Sequence, residues 1–385
     1  MIFDRNKLHP ATRLNHSPEV LIPEGNYPIL SPIYQTAKFR LSEEVPLSSQ
    51  FAYTRVSNPT LRQLELTLSE LQKTEDCIVV GSGMAAITGA ILGLMKTGDH
   101  LITFMETYRP ARIFTRTTLK RFGMSTTVLS LSELSKLEAA ITPQTKIIYF
   151  ESPTNPHLTI ADIRTIVSVA KKHNVLVMMD ATFGGPHQHT DLGVDVYLQS
   201  LTKYANGHGD VIAGSIAGKK SVIHEIRQMT INLGATLDPH AAYLVQRGMK
   251  TYLLRYERQA SSALVLAEFL QKHPKVTKVF YPGLPSHKGH EMARSQMSSM
   301  GGILAFEIDP SVGTALEVCH RVNLIQFTAS VGSAETLICP TAMFFGDDLS
   351  PEELNLLGLN PYTLRISVGL EHPEDLIIEL RSVLE

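Results

Sequence analysis

Between residues 77 and 200 the chain alternates short apolar runs with longer helical patterns. The runs are Cys77–Val80, Leu101–Phe104, Lys146–Phe150, Val175–Met179 and Val194–Leu198, and helical stretches occupy 83–96 and 160–172. Buried runs of this length separated by helices predict an α/β fold, with a mostly parallel sheet covered on both faces. Such folds bind ligands beyond the carboxyl ends of the strands. The residues at or just past those ends are Gly81, Glu106, Glu151, Asp180 and Ser200. The site is expected to be assembled from them and their neighbours.

The flanks read differently. Residues 1–57 show little periodicity and carry Pro10, Pro18, Pro23, Pro28, Pro32 and Pro46, the composition of an extended arm lying over something else, in an oligomer a neighbouring subunit. At Asn58 a helix begins, with Asn58 as N-cap, Pro59 in its first turn and Leu61, Leu64, Leu68 and Leu71 on one face. Beyond about 235 the pattern shifts to a long amphipathic helix over 243–273, then to strands near 302–307 and 363–368. The expected organisation is an arm over 1–57, an α/β domain over 58–240 and a smaller C-terminal α+β domain over 241–385.

Composition narrows the function classes. Hydrophobic residues make up 43% of the 385, ample for two cores and too many for a disordered chain. Lysine and arginine total 35 against 37 acids with no long basic run, which argues against a nucleic-acid partner. The longest apolar stretch, 85–95, is broken by Thr88, Gly89 and Gly93 and falls short of the ~18 residues of a membrane span. Residues 1–10 carry charge where a signal peptide needs an apolar core. Cys77, Cys319 and Cys339 are widely spaced and form no CxxC pair. These features point to a cytoplasmic protein without a structural zinc.

Two constellations carry chemistry. Gly81-Ser82-Gly83-Met84-Ala85-Ala86 follows an apolar run and opens a helix, where free amides and the helix dipole favour a phosphate. The same residues satisfy a dinucleotide fingerprint with Glu106 as the ribose acid, and they also suit a plain tight turn. Asp180 ends the most apolar run, and Lys203 follows the next one in Ser200-Leu201-Thr202-Lys203. Pyridoxal phosphate needs such a pair: a lysine amine for the Schiff base and a carboxylate against the pyridinium nitrogen. A loop-capping aspartate and a surface lysine would give the same spacing. His187 and His189 with Asp191 lack a further clustered ligand, so no metal site is expected, and His208 reads as a brace within its Gly-rich loop.

Several ordered motifs resemble the cystathionine γ-synthase-like pyridoxal-phosphate enzymes of cysteine and methionine metabolism. They are Tyr53-Thr54-Arg55-Val56-Ser57-Asn58-Pro59-Thr60, Ser82-Gly83-Met84-Ala85-Ala86-Ile87, Phe150-Glu151-Ser152-Pro153-Thr154-Asn155-Pro156, Asp180-Ala181-Thr182-Phe183, Ser200-Leu201-Thr202-Lys203-Tyr204, Asn206-Gly207-His208-Gly209-Asp210 and Leu364-Arg365-Ile366-Ser367-Val368-Gly369-Leu370-Glu371. The resemblance covers almost the whole chain after residue 25. It implies the fold of type I aspartate aminotransferases and a pyridoxal 5'-phosphate held as a Schiff base on Lys203, with Asp180 on the ring nitrogen. Gly83, Met84, Ser200 and Thr202 would hold the phosphate, joined by Tyr53 and Arg55 from a neighbouring subunit. Tyr108 would stack on the ring, Arg365 would clamp the substrate α-carboxylate, and Asn155 and Ser330 would help orient substrate and cofactor. A homotetramer of site-sharing dimers follows by the same analogy.

Family members share the early steps and differ in whether the leaving group departs from Cβ or Cγ. Arg109-Pro110-Ala111 after Tyr108 and the stretch Ser286–Glu291 resemble bacterial cystathionine β-lyases, and Ala342-Met343-Phe344-Phe345 replaces the Met-Thr-His common in γ-enzymes. Val331 after the carboxylate-site serine departs from the tryptophan frequent in β-lyases. The expected reaction is β-elimination of cystathionine to homocysteine, pyruvate and ammonia, with Arg109 or Arg112 as candidates for the distal carboxylate. Alternatives are a cystathionine γ-lyase or γ-synthase and, from other classes, a nicotinamide-dependent dehydrogenase or a non-catalytic binding protein.

Overall fold

The computed structural model describes residue 12 and residues 22–344, 348–358 and 360–385. The charged stretch 1–10 and Phe345 therefore lie outside the described residues. The chain divides after Ile33, and every element below belongs to the unit Tyr34–Glu385.

A seven-stranded sheet comprises β1 (Asp76–Val80), β2 (His100–Phe104), β3 (Ser125–Leu129), β4 (Thr145–Glu151), β5 (Leu176–Asp180), β6 (Val196–Ser200) and β7 (Gly214–Gly218), in the order β1-β7-β6-β5-β4-β2-β3. All pairings are parallel except those that β7 makes with β1 and β6. Side chains alternate across such a sheet. Ile147, Tyr149 and Met178 accordingly pack into one core, and Ile148, Phe150 and Met179 into another on the opposite face. Double coverage is why these runs read as continuously apolar rather than alternating.

The helix α1 (Pro59–Gln72) starts as expected, with the Asn58 side chain accepting from the Thr60 N–H and Leu61, Leu64 and Leu68 buried. Next, α2 (Gly83–Leu94) crosses α3 (Lys220–Asn232) on a face of small residues. A Cβ on Gly89 would stand 2.7 Å from the Thr230 methyl, and one on Gly93 3.0 Å from the Ile226 Cα. Residues four apart share a helix face, so these two glycines let the axes approach closely.

The C-terminal sheet is made of β8 (Val276–Phe280), β9 (Ile303–Ile308), β10 (Gln326–Phe327), β11 (Leu337–Pro340) and β12 (Thr363–Ser367), ordered β10-β11-β12-β9-β8 and antiparallel except for β10 with β11. It has its own core, including Leu304, Phe306, Ile338, Leu364 and Leu380. The helix expected over 243–273 is two helices, Pro239–Met249 and α4 (Tyr252–Lys272). The break falls where Arg255 takes the Gly248 carbonyl at 2.8 Å, and a Cβ on Gly248 would come within 2.3 Å of the Asn206 carbonyl oxygen. Within the seven-stranded sheet two strands escaped the sequence pattern, β7, made of glycine, alanine, serine and isoleucine, and the polar edge strand β3, and in the C-terminal sheet β8, β10 and β11 escaped it. The glycines and alanine of β7 carry no strand signal, whereas β3 is β-branched at Thr126, Thr127 and Val128 but offers no apolar run.

Helix α4 joins the two sheets to the loops between them. Tyr256 donates to the Gly184 carbonyl at 2.7 Å, Arg255 to the Tyr204 carbonyl at 3.1 Å and Gln259 to the Ser333 carbonyl at 2.7 Å. Tyr204 in turn accepts from the Gly302 N–H at 3.1 Å. The turn that carries Lys203 is thereby held against the segment that carries Ser330. Among the described residues no helix is long and apolar enough to cross a membrane.

A Cβ on Gly214 would lie 2.2 Å from the Ser82 carbonyl oxygen and 2.9 Å from the Gly83 nitrogen, both backbone atoms. Gly214→Ala is therefore expected to force β7 away from the start of α2 and to lower stability by about 2 kcal/mol, measured by chemical or thermal unfolding. An unchanged midpoint would show that the approach is not a constraint.

Candidate active site

A cavity of about 290 Å3 opens at the carboxyl ends of β4, β5 and β6, lined by Gly83, Met84, Tyr108, Glu151, Asn155, Asp180, Ser200, Thr202, Lys203, Ser330, Phe344 and Arg365 among others. It is slightly below the ~300–1,000 Å3 usual for small-molecule sites. Ten of the twelve expected site residues meet here. Tyr53 and Arg55 do not line it. Both lie in the arm, with the Arg55 guanidinium 5.5 Å from the centre of the Tyr53 ring, which is 46% exposed.

One end of the cavity suits an anion. The Ser82 side chain caps α2 by accepting from the Ala85 N–H at 3.0 Å, and the amides of Gly83 and Met84 come first in the helix, where no intrahelical acceptor exists. Gly83 lies so close to Ser200 that a Cβ would sit 2.8 Å from the serine Cβ. Ser200 is oriented by its N–H to the Thr182 hydroxyl at 2.9 Å, and the Thr202 hydroxyl accepts from the Ala213 N–H at 3.1 Å.

The centre holds opposed charges out of water. Asp180 ends β5 and accepts from the Thr182 N–H at 3.0 Å, and burial raises its pKa. Glu151 ends β4 directly beside it in register. Burial, and then the Asp180 charge, push the Glu151 pKa well above the usual glutamate range. The Glu151 carboxylate also accepts from the Tyr108 N–H at 2.8 Å and so fixes the loop that presents the half-exposed Tyr108 ring. Lys203 donates to the Ser330 hydroxyl at 2.9 Å. Burial and the nearby Arg365 lower its pKa, which enlarges the neutral, nucleophilic fraction.

Arg365 comes from β12 and reaches across between the sheets. Its Nη1 donates to Asn155 Oδ1 at 2.8 Å and its Nη2 to the Ser330 carbonyl at 2.9 Å. Both acceptors are neutral, and its buried Nε has no partner. A buried guanidinium without a counter-ion is a receptor for a carboxylate.

The expectations for Arg109, Arg112 and Glu106 are corrected by the geometry. Arg112 is 2% exposed, with Nε on Asp348 Oδ2 at 2.6 Å and Nη1 on the Met105 and Thr107 carbonyls, and it does not line the cavity. Arg109 pairs with the same aspartate at 3.3 Å. Asp348 is thus the partner of both arginines suggested for a distal carboxylate. Glu106 turns away from the Gly81–Ala86 turn to accept from the Ser130 hydroxyl and the Leu131 N–H, which removes the ribose acid of the dehydrogenase reading. His187 bonds to the Tyr252 hydroxyl, His208 to the Asn206 carbonyl, and the described residues contain no cluster of metal-ligating type. Glu151, Thr182 and Phe344 received no role from the sequence. Glu151 was visible there as a strand-end acid, whereas nothing local marks Phe344.

The family model for Cys/Met metabolism PLP-dependent enzymes matches residues 24–385. Among curated relatives, cystathionine gamma-synthase 1 of Arabidopsis thaliana is 37% identical over 93% of this chain, which spans 65% of that protein's length. L-methionine gamma-lyase of Porphyromonas gingivalis is 37% identical over 93% of this chain and 92% of its own, and cystathionine beta-lyase of Lactococcus lactis 36% over 92% and 93%. A Campylobacter jejuni structure named as an O-acetylhomoserine (thiol)-lyase, with N'-pyridoxyl-lysine-5'-monophosphate, superposes with a TM-score of 0.87 at 30% identity, covering 92% of this chain and 94% of that one.

The raised Glu151 pKa has a signed consequence for stability. A carboxyl that folding makes harder to ionise favours the fold fully below the ordinary glutamate range, and that advantage is lost as pH rises through the raised value. Glu151→Gln keeps an acceptor for Tyr108 and cannot ionise. In cofactor-stripped protein its melting temperature relative to wild type is expected to rise between pH 4 and pH 8. A gap that stays constant over that interval would contradict the assignment.

Proposed function

Because this chain belongs to the family of Cys/Met metabolism PLP-dependent enzymes, we propose that it is a carbon–sulfur lyase cleaving cystathionine by β-elimination to homocysteine, pyruvate and ammonia. The observation that carries the amino-acid lyase reading is the meeting of a neutralisable lysine, Lys203, with the uncompensated guanidinium of Arg365 in one cavity.

The residues fit the cofactor. The amides of Gly83 and Met84 with the hydroxyls of Ser200 and Thr202 form a cradle for a phosphate, a space that a side chain at Gly83 would fill. Asp180 would pair with the ring nitrogen, Tyr108 would cover the ring and Lys203 would bind the aldehyde carbon. Tyr53 and Arg55 would complete the phosphate site from a neighbouring subunit, which gives the arm over 1–57 its purpose and makes the working unit at least a dimer, in our reading a tetramer of two such dimers. The same proposal assigns 58–240 to cofactor binding and 241–385 to the substrate carboxylate. When bound, pyridoxal phosphate supplies the electron sink for the pair released at Cα.

The chain's own groups do the rest. Arg365 holds the α-carboxylate, and Asn155 and the Ser330 carbonyl fix the plane of its guanidinium. Lys203 would take the α-proton as general base, and burial beside Arg365 favours the neutral amine that this needs. The Ser330 hydroxyl, as its hydrogen-bond partner, steadies it. Three buried free cysteines suit a reducing, cytoplasmic setting.

The β assignment is supported by Arg109-Pro110-Ala111 and by the loss of Met-Thr-His after Pro340. A second reading, γ-elimination from a smaller thioether such as methionine, is favoured by the commitment of Arg109 and Arg112 to Asp348. Ile212, Ala329 and Val331 add an apolar lining.

Purified protein is expected to show a borohydride-sensitive visible band that Lys203→Ala abolishes, together with all turnover. Incubation with cystathionine should yield pyruvate and homocysteine. Cysteine with 2-oxobutyrate, or 2-oxobutyrate and methanethiol from methionine, would move the enzyme to γ-elimination and leave the cofactor assignment standing.

A further inference from the structure

The carboxylate receptor has a second layer. The guanidinium carbon of Arg365 lies 4.3 Å from the centre of the Phe344 ring, and a second ring, Phe183, lies at 5.7 Å. Phe344 stands at the end of a single helical turn, Thr341–Phe344, that follows β11, the strand paired with β12 through Cys339 and Arg365. With Phe344 against its face and one N–H each of Nη1 and Nη2 bound to Asn155 and Ser330, Arg365 keeps its Nε–H and the second N–H of each Nη for an anion.

Four residues further on, Asp348 is gripped by the arginines that follow Tyr108. Its carboxylate accepts from Arg112 Nε at 2.6 Å and Arg109 Nε at 3.3 Å, and its carbonyl from Arg116 Nη1 at 2.6 Å. Arg112 is in turn fixed by the carbonyls of Met105 and Thr107, the residues that lead into Tyr108. Four residues reach at most about 14 Å, so the position of Asp348 limits where Phe344 can lie. The buried pair also opposes displacement, since separating it leaves Arg112 charged and unpaired.

We propose that Phe344 and Asp348 are positioning residues for the carboxylate clamp: the ion pair of Asp348 with Arg112 holds Phe344 against Arg365, so that the guanidinium keeps its hydrogen-bonding edge toward the α-carboxylate. This rests on reading the cavity as an amino-acid site. It also gives the three arginines after Tyr108 a role that needs no contact with substrate.

The test uses the holoenzyme and two ligands that bear the same amine, glycine with a carboxylate and propylamine without one, titrated by the shift of the visible cofactor band. Phe344→Leu and Asp348→Asn are expected to weaken glycine by about three- to thirty-fold, the range of a cation–π contact out of water, and to leave propylamine unchanged. The KM of the eliminated substrate should rise with kcat nearly constant, and Phe344→Tyr should restore wild-type behaviour. Phe344→Leu lies outside the ion cluster and decides the matter if Asp348→Asn fails to fold. Glycine affinity within two-fold of wild type in Phe344→Leu, or equal weakening of both ligands, overturns the positioning role alone. A wild-type holoenzyme that fails to discriminate glycine from propylamine overturns the amino-acid reading of the cavity, and the proposal with it.

Discussion

Two carboxyls and two cations share a cavity from which much of the water is excluded, and they are not paired with one another. Glu151 and Asp180 stand side by side on adjacent strand ends, and Lys203 and Arg365 donate to neutral oxygens. Burying an unpaired charge is expensive, so each must be held by backbone amides, hydroxyls and carbonyls that the fold delivers to fixed places. The shifts follow: the acids are harder to ionise and the lysine is easier to deprotonate. A cavity built this way is poised for a ligand that brings both a positive ring nitrogen and a carboxylate. Stability and reactivity are therefore set by the same uncompensated groups.

Those groups stay in place because rigid elements carry them. The acids end strands buried on both faces, Lys203 sits on a turn gripped by Tyr204, Arg255 and Tyr256, and Arg365 lies in a strand flanked by β9 and β11. The small residues matter for the same reason. Gly83 and Gly214 allow the start of α2 to press against the ends of β6 and β7 with no side chain between them. That contact brings free helical amides to the cavity.

Much of this was legible in the chain. The strand-end rule places Asp180, Glu151 and Ser200 at one rim, and Asn58 and Pro59 mark the start of α1 to the residue. The motifs carried Lys203, Asn155 and Arg365, because each sits in a short stretch whose backbone form is local. What failed were inferences about reach. Glu106 follows a strand as the dinucleotide pattern asks, yet its carboxylate finds Ser130 and Leu131 instead. Arg109 and Arg112 lie next to Tyr108, and their local sequence offers them for a substrate, although their partner Asp348 lies more than 230 positions away. Strand β7 was missed because glycine and alanine carry no β signal, and its place is set by the neighbours that pair with it.

The sequence alone determined the alternation of strands and helices, the turn chemistry that opens α1 and α2, and the identity of the acids at the strand tips. These depend on hydrophobic period, capping and side-chain type within a dozen residues, and local physics suffices for them. Tertiary structure decided which charges meet. Lys203 finds Ser330 across 127 positions and Arg365 finds Asn155 across 210, because helix α4 docks the second sheet against the first. The same docking gave Arg112 to Asp348 rather than to a ligand. The partner of a buried charge is chosen by whichever group the packing brings within about 3 Å, and no local pattern encodes that distance.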